Sequence, residues 1–122
     1  VPGPVAACGA GGMSTLSTHV LDTAHGCPAA GVKIRLFGEG DTWMFEGFTN
    51  ADGRCPSLPE LQGGPYRMEF FVGQYFRAKG VELPDPPFLD VVPVEFGVAD
   101  RAGHYHVPLL VSPYGYSTYR GS

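Results

Sequence analysis

HYHVPLLVSPYGYSTYRGS, residues 104–122, reads as two β-strands around a tight turn. Alternation of period two sets Tyr105, Val107 and Leu109 on one face, where they look like core. His104, His106, Pro108 and Leu110 form the opposite row. A face carrying two histidines, a proline and a leucine is neither an ordinary core nor an ordinary solvated surface. The Ser-Pro-Tyr-Gly turn (112–115) follows, YGYSTYR (114–120) reads as the second strand, and the chain closes on Tyr-Arg-Gly-Ser (119–122). Histidine titrates near neutrality, which suits it to general acid–base work. Chemistry is therefore expected at the edge of a sheet.

The same rhythm runs through the chain. TLSTHVLD (15–22) alternates, with Leu16, Thr18 and Val20 on one side and Ser17, His19 and Leu21 on the other. HGCPAAG (25–31) reads as a loop. VKIRLF (32–37) turns Val32, Ile34 and Leu36 inward, and GEGD (38–41) ends it. WMFEGFTN (43–50) and PYRMEFFV (65–72) read as strands, separated by the Asp-Gly turn of ADGR (51–54). A short helix is expected within 72–80. Pro93 interrupts FLDVVPVEF (88–96), which places that strand at a sheet edge or on a bulge. These signals predict an all-β fold, a two-sheet antiparallel sandwich of about eight strands with one short helix.

Charge narrows the function. Twelve acidic against eight basic residues leave −4, with no basic run to engage phosphates, so nucleic acid is excluded as a partner. No window reaches the ~18 apolar residues of a membrane span, and no secretory signal is evident. Only 16% of residues are charged, against about 25% in ordinary domains, which points to surface hidden between subunits. Cys8, Cys27 and Cys55 show neither zinc-site nor redox-dithiol spacing. They read as free thiols of a reducing compartment, the cytoplasm, or the peroxisome in a eukaryote. The Gly-, Ala- and Pro-rich residues 1–12 read as a linker, leader or expression remnant before a single domain at 13–122, with Met13 as its natural start.

Three further positions could carry chemistry. His19 sits opposite the apolar row of its own strand, so two strands carry histidine on a non-core face. Arg54 leaves a tight turn and offers a planar fork to an anion or developing oxyanion. His25 and His104 read as satisfied surface histidines. A zinc site from His19, His104 and His106 has no supporting motif, and no Gly-x-Ser-x-Gly elbow marks a serine nucleophile.

LSTHVLDTAHGCPA (16–29), NADGR (50–54) and YHVPLLVSPYGYSTYRGS (105–122) together resemble the transthyretin-related 5-hydroxyisourate hydrolase family, over Met13 to Ser122. Hormone-carrying transthyretins lack the histidines matching His19 and His106, the arginine matching Arg54 and the terminal Tyr-Arg-Gly-Ser. The resemblance implies a transthyretin-like sandwich in a homotetramer, a dimer of dimers whose active sites lie at the mouths of a central channel. It implies hydrolysis of 5-hydroxyisourate in urate catabolism, without cofactor or metal. The residues it carries over are His19, Arg54, His106 and Tyr119 to Ser122.

On this expectation His106 is the general base, oriented by Ser122, and His19 binds substrate and shares proton transfer. Arg54 clamps a carbonyl or anionic edge, while Tyr119, Arg120 and Gly121 line the substrate pocket. Two rival readings are a carrier of hormone-like aromatics in the same channel and an adhesive extracellular sandwich. The polar histidines oppose the first. The absence of paired cysteines and of a secretory signal opposes the second.

Overall fold

The structure, a computed structural model, describes residues 13–99 and 103–121; the expected 1–12 segment lies outside the described residues. Alternating side chains build β1 (Thr15–Asp22), β3 (Lys33–Gly38), β5 (Gly64–Phe71), β6 (Val91–Val98) and β7 (His104–Ser112). The remaining strands are β2 (Cys27–Pro28), β4 (Thr42–Phe48) and β8 (Gly115–Thr118). They form two four-stranded sheets, in the orders β2-β1-β7-β8 and β4-β3-β5-β6. The single α-helix among the described residues, α1 (Val72–Ala78), follows β5 directly.

The inward rows are those the alternation predicts. Leu16 and Val20 of β1 and Tyr105, Val107, Leu109 and Val111 of β7 face Ile34 and Leu36 of β3 and Met68 and Phe70 of β5. Each such side chain contributes roughly 1.5–3 kcal/mol on burial. β6 is an edge strand, so Pro93 costs the ladder little.

Three details depart from the sequence expectation. The sandwich is not wholly antiparallel: β1 and β7 pair in parallel along their lengths, Thr15 beside His104 and Asp22 beside Val111. Parallel pairing needs a long crossover, and here the entire second sheet lies between the two strands in sequence. The expected loop at 25–31 contains β2, which pairs with Leu21 and Asp22. The last strand ends at Thr118, before Tyr119.

The end of β1 is tied to the helix by Asp22, which is 1% exposed. Its Oδ1 accepts the Ala24 and His25 backbone N–H groups, each at 2.9 Å. Oδ2 accepts the Tyr75 hydroxyl at 2.7 Å and lies 2.6 Å from His25 Nδ1. Burial alone would push this carboxyl up. The hydrogen bonds from Tyr75 and His25 outweigh it and hold the pKa below its ordinary value of 3.8.

Replacing Asp22 with Ala strips four partners from one buried site and should cost about 2–4 kcal/mol of unfolding free energy. Because the folded pKa is depressed, this stabilisation is present above the ordinary carboxyl value and lost as pH falls through the folded one. Urea midpoints measured at about pH 5 and about pH 3 should therefore fall further for the wild type than for Asp22→Asn.

Candidate active site

The parallel ladder sets Ser17 of β1 beside His106 of β7, and His19 beside Pro108. On the flank of β1 that also carries β2, His19 is bridged to Arg54; on the flank of β7 that carries β8, His106 is bridged to Gly121. Directly paired residues share a face of the sheet. Arg54, His19 and Pro108 thus form one cross-strand row, and Ser17, His106 and Gly121 the next, both on the outward face. The sequence expectation that His19 and His106 lie on non-core faces holds, and Arg54 joins them.

Arg54 reaches this face through the turn before it. Asn50 Oδ1 accepts the Asp52 N–H at 2.9 Å and the Arg54 N–H at 3.1 Å. The Asn50 N–H in turn donates to the Arg54 carbonyl at 2.7 Å. The Val20 N–H donates to the Gly53 carbonyl at 2.8 Å, docking the turn against β1. Gly53 has φ +76°, and a Cβ there would collide with the Val20 carbonyl oxygen. Only glycine combines that conformation with so close an approach.

The C-terminal stretch is held in a similar way. The Gly121 N–H donates to the His106 carbonyl at 2.8 Å, and a Cβ on Gly121 would run into the imidazole at Cδ2. Ser122, expected to orient His106, lies outside the described residues. The partner that the His106 ring does have is Ser17, whose Oγ lies 2.8 Å from Nδ1. Nε2 is then the nitrogen available to water or a ligand. The same Ser17 Oγ lies 2.9 Å from His104 Nε2, and His104 Nδ1 lies 2.6 Å from Thr15 Oγ1.

His104 is thus hydrogen-bonded at both ring nitrogens, as a satisfied surface histidine should be, and neither is free for a metal. His25 is likewise engaged, by Asp22. Sequence reasoning missed Ser17 and Thr15. Their only signal was parity, since both alternate onto the histidine face; their partners depend on a strand pairing that no local pattern reveals.

Tyr119 and Arg120, expected to contact substrate, sit elsewhere in the chain fold. The Arg120 guanidinium lies 4.2 Å from the centroid of Tyr105, a residue of the core-facing row, and donates to the His104 carbonyl at 3.2 Å. Tyr119 borders a cavity of about 410 Å³ with Tyr105, Val107 and Phe96. The reason is again parity: Tyr105 faces opposite to His106. In this position Arg120 anchors the strap that presents Gly121.

The electrostatics favour a neutral imidazole at His106. Burial lowers its pKa first, and the positive Arg54 and the neighbouring His104 and His19 lower it further. Among the described residues, no group of three His, Cys, Asp or Glu side chains comes together to hold a metal. None of their helices is long and apolar enough to cross a membrane.

A family model described as HIUase/Transthyretin matches residues 16–121. The chain is 53% identical over 118 residues to the 5-hydroxyisourate hydrolase of Pseudomonas aeruginosa, covering 90% of this chain and 93% of that one. It superposes on the Klebsiella pneumoniae 5-hydroxyisourate hydrolase with a TM-score of 0.77 and 38% identity, covering 90% of this chain and 100% of that one. A sea bream transthyretin in complex with thyroxine gives a TM-score of 0.78 at 30% identity, covering 87% of this chain and 93% of that one.

Replacing Arg54 with Gln removes one of the charges that disfavour imidazolium, so the His106 pKa should rise while burial still keeps it below its ordinary value. An NMR titration of the imidazole resonances reads this directly. Gly53→Ala should cost ~1–3 kcal/mol through its left-handed backbone and the blocked approach to Val20; thermal unfolding measures it.

Proposed function

The chain belongs to the HIUase/transthyretin family, and from that premise we propose that it hydrolyses 5-hydroxyisourate. The product is 2-oxo-4-hydroxy-4-carboxy-5-ureidoimidazoline, formed by opening a cyclic amide in urate breakdown. One observation carries this reading: His19, His106 and Arg54 share the outward face of one sheet, in two adjacent cross-strand rows.

Amide hydrolysis needs an activated water, a stabiliser for the tetrahedral oxyanion and an acid for the departing nitrogen. Nε2 of neutral His106 takes a proton from water as its oxygen attacks the C6 carbonyl. The Arg54 guanidinium holds the ring's carbonyl edge and the negative charge that develops there. When the C6–N1 bond breaks, a proton passes from an imidazole, His106 or the adjacent His19, to N1. His19 also binds the substrate. Gly121 lets the C-terminal strap lie against His106, where Ser122 would complete the wall. Tyr119 and Arg120 support the strap. No metal or cofactor enters this scheme.

Large apolar side chains also remain exposed on the single chain. Trp43, Phe48, Phe88, Tyr114, Tyr116 and Tyr119 are all exposed in the single chain, an unusual load for a free monomer. We place them in subunit contacts of a homotetramer, a dimer of dimers with the sites at the mouths of its channel. The cytoplasm is the proposed location, with Cys27 and Cys55 kept as thiols.

Freshly generated 5-hydroxyisourate, followed by ultraviolet absorbance, should decay faster with the protein than without it, giving one product enantiomer by circular dichroism. An unchanged rate, with retained binding of an iodinated aromatic, would favour a carrier instead. His106→Asn should lower kcat by ~10²–10⁴, and EDTA should leave turnover intact. Sedimentation should give the mass of four chains of 13.0 kDa.

A further inference from the structure

Outside the proposed catalytic groups, the histidine face carries one unbroken hydrogen-bonded line: Gly103 carbonyl, Thr15 Oγ1, His104, Ser17 Oγ, His106. The successive separations are 3.4, 2.6, 2.9 and 2.8 Å. We propose that His104 is a positioning residue that, through Ser17, holds His106 in the Nδ1–H tautomer and so keeps the Nε2 lone pair directed at the substrate. This rests on the hydrolase reading only in naming His106 the base; the tautomer itself is a property of the free protein.

Proton counting fixes the alternatives. Each hydroxyl has one proton to donate, and each neutral imidazole has one N–H. With each hydroxyl proton kept within the line, two consistent polarities remain, and they differ at every link.

In one polarity, the Thr15 hydroxyl donates to the Gly103 carbonyl and accepts from His104 Nδ1–H. Bare His104 Nε2 then accepts the Ser17 proton, and Ser17 Oγ accepts from His106 Nδ1–H. His106 ends with Nε2 unprotonated, as a base requires. In the opposite polarity Thr15 donates to His104, His104 donates to Ser17, and Ser17 donates to His106 Nδ1. His106 then presents Nε2–H and cannot take a proton from water.

The Gly103 carbonyl breaks the symmetry, because a carbonyl only accepts. It already receives the Thr15 N–H at 2.9 Å and offers its second lone pair to the Thr15 hydroxyl. That end selects the base-competent polarity. A tautomer fixed by the far ring nitrogen is a recurrent arrangement in histidine chemistry. Here the fixing group is a second histidine acting through a hydroxyl, with no carboxylate involved. The burial and neighbouring charges that keep His106 neutral are consistent with this role.

The test is long-range ¹H–¹⁵N NMR of histidine-labelled protein, with parallel steady-state kinetics. Wild-type His106 should show the Nδ1–H pattern. In His104→Leu the Ser17 proton is released to His106, so the Nε2–H form should grow and kcat should fall about tenfold or more with KM nearly unchanged. His104→Gln puts a carbonyl oxygen where Nε2 stood and should restore both tautomer and rate. Ser17→Ala gives a second break of the line should His104→Leu fold poorly. An Nε2–H pattern in the wild type, or unchanged His106 tautomers in both His104→Leu and Ser17→Ala, would overturn the proposal. A wild type that shows the Nδ1–H pattern but hydrolyses nothing would sink the hydrolase reading and leave the tautomer result standing.

Discussion

The parallel contact between β1 and β7 is the constraint on which the remaining structure depends. Its hydrogen bonds join Thr15–Asp22 to His104–Ser112 without a register break. One face of that ladder closes the core with Leu16, Val20, Val107 and Leu109. The other face holds Ser17, His19, His104 and His106. A slip of one residue would send every side chain to the wrong side, so the burial that stabilises the sandwich also sets the relative position of His19 and His106. Packing and chemistry are specified by the same register.

The two groups that flank this ladder are held through their own backbone. Arg54 arrives on a turn closed over Asn50 and pinned at Gly53. Gly121 arrives on a strap whose N–H donates to His106. In both cases a glycine permits an approach that a Cβ would block. The imidazole of His106 is therefore hemmed in from several sides: by Ser17 at Nδ1, by the strap at Cδ2, and by positive charge from Arg54. Confinement of this kind reduces the reorganisation a reaction would otherwise require.

Much of this was legible in the sequence, and the limits have a physical cause. Inside–outside alternation is local, so the core rows and the outward placement of His19 and His106 were readable from period two. The resemblance over residues 16–29, 50–54 and 105–122 supplied the family and the place of Arg54. The direction of the β1–β7 pair was not readable, because parallel and antiparallel strands have the same alternation. With that direction hidden, Ser17 could not be matched to His106. The packing of Arg120 on Tyr105 was equally hidden, because the alternation does not show which strand face the terminal residues meet.

The parallel ladder has a consequence for synthesis. Ser17 and His106 are 89 positions apart, so β1 leaves the ribosome long before the strand that will cover its flank. At translation rates of about 5–20 residues per second, the wait is roughly 4–18 s. Throughout it, Leu16 and Val20 have no β7 beside them, and a row of backbone donors and acceptors stands open to any passing strand. Contacts of such long range also form slowly once the chain is released. The nascent chain thus passes through a period of exposure to aggregation set by the same pairing that later makes it an active protein.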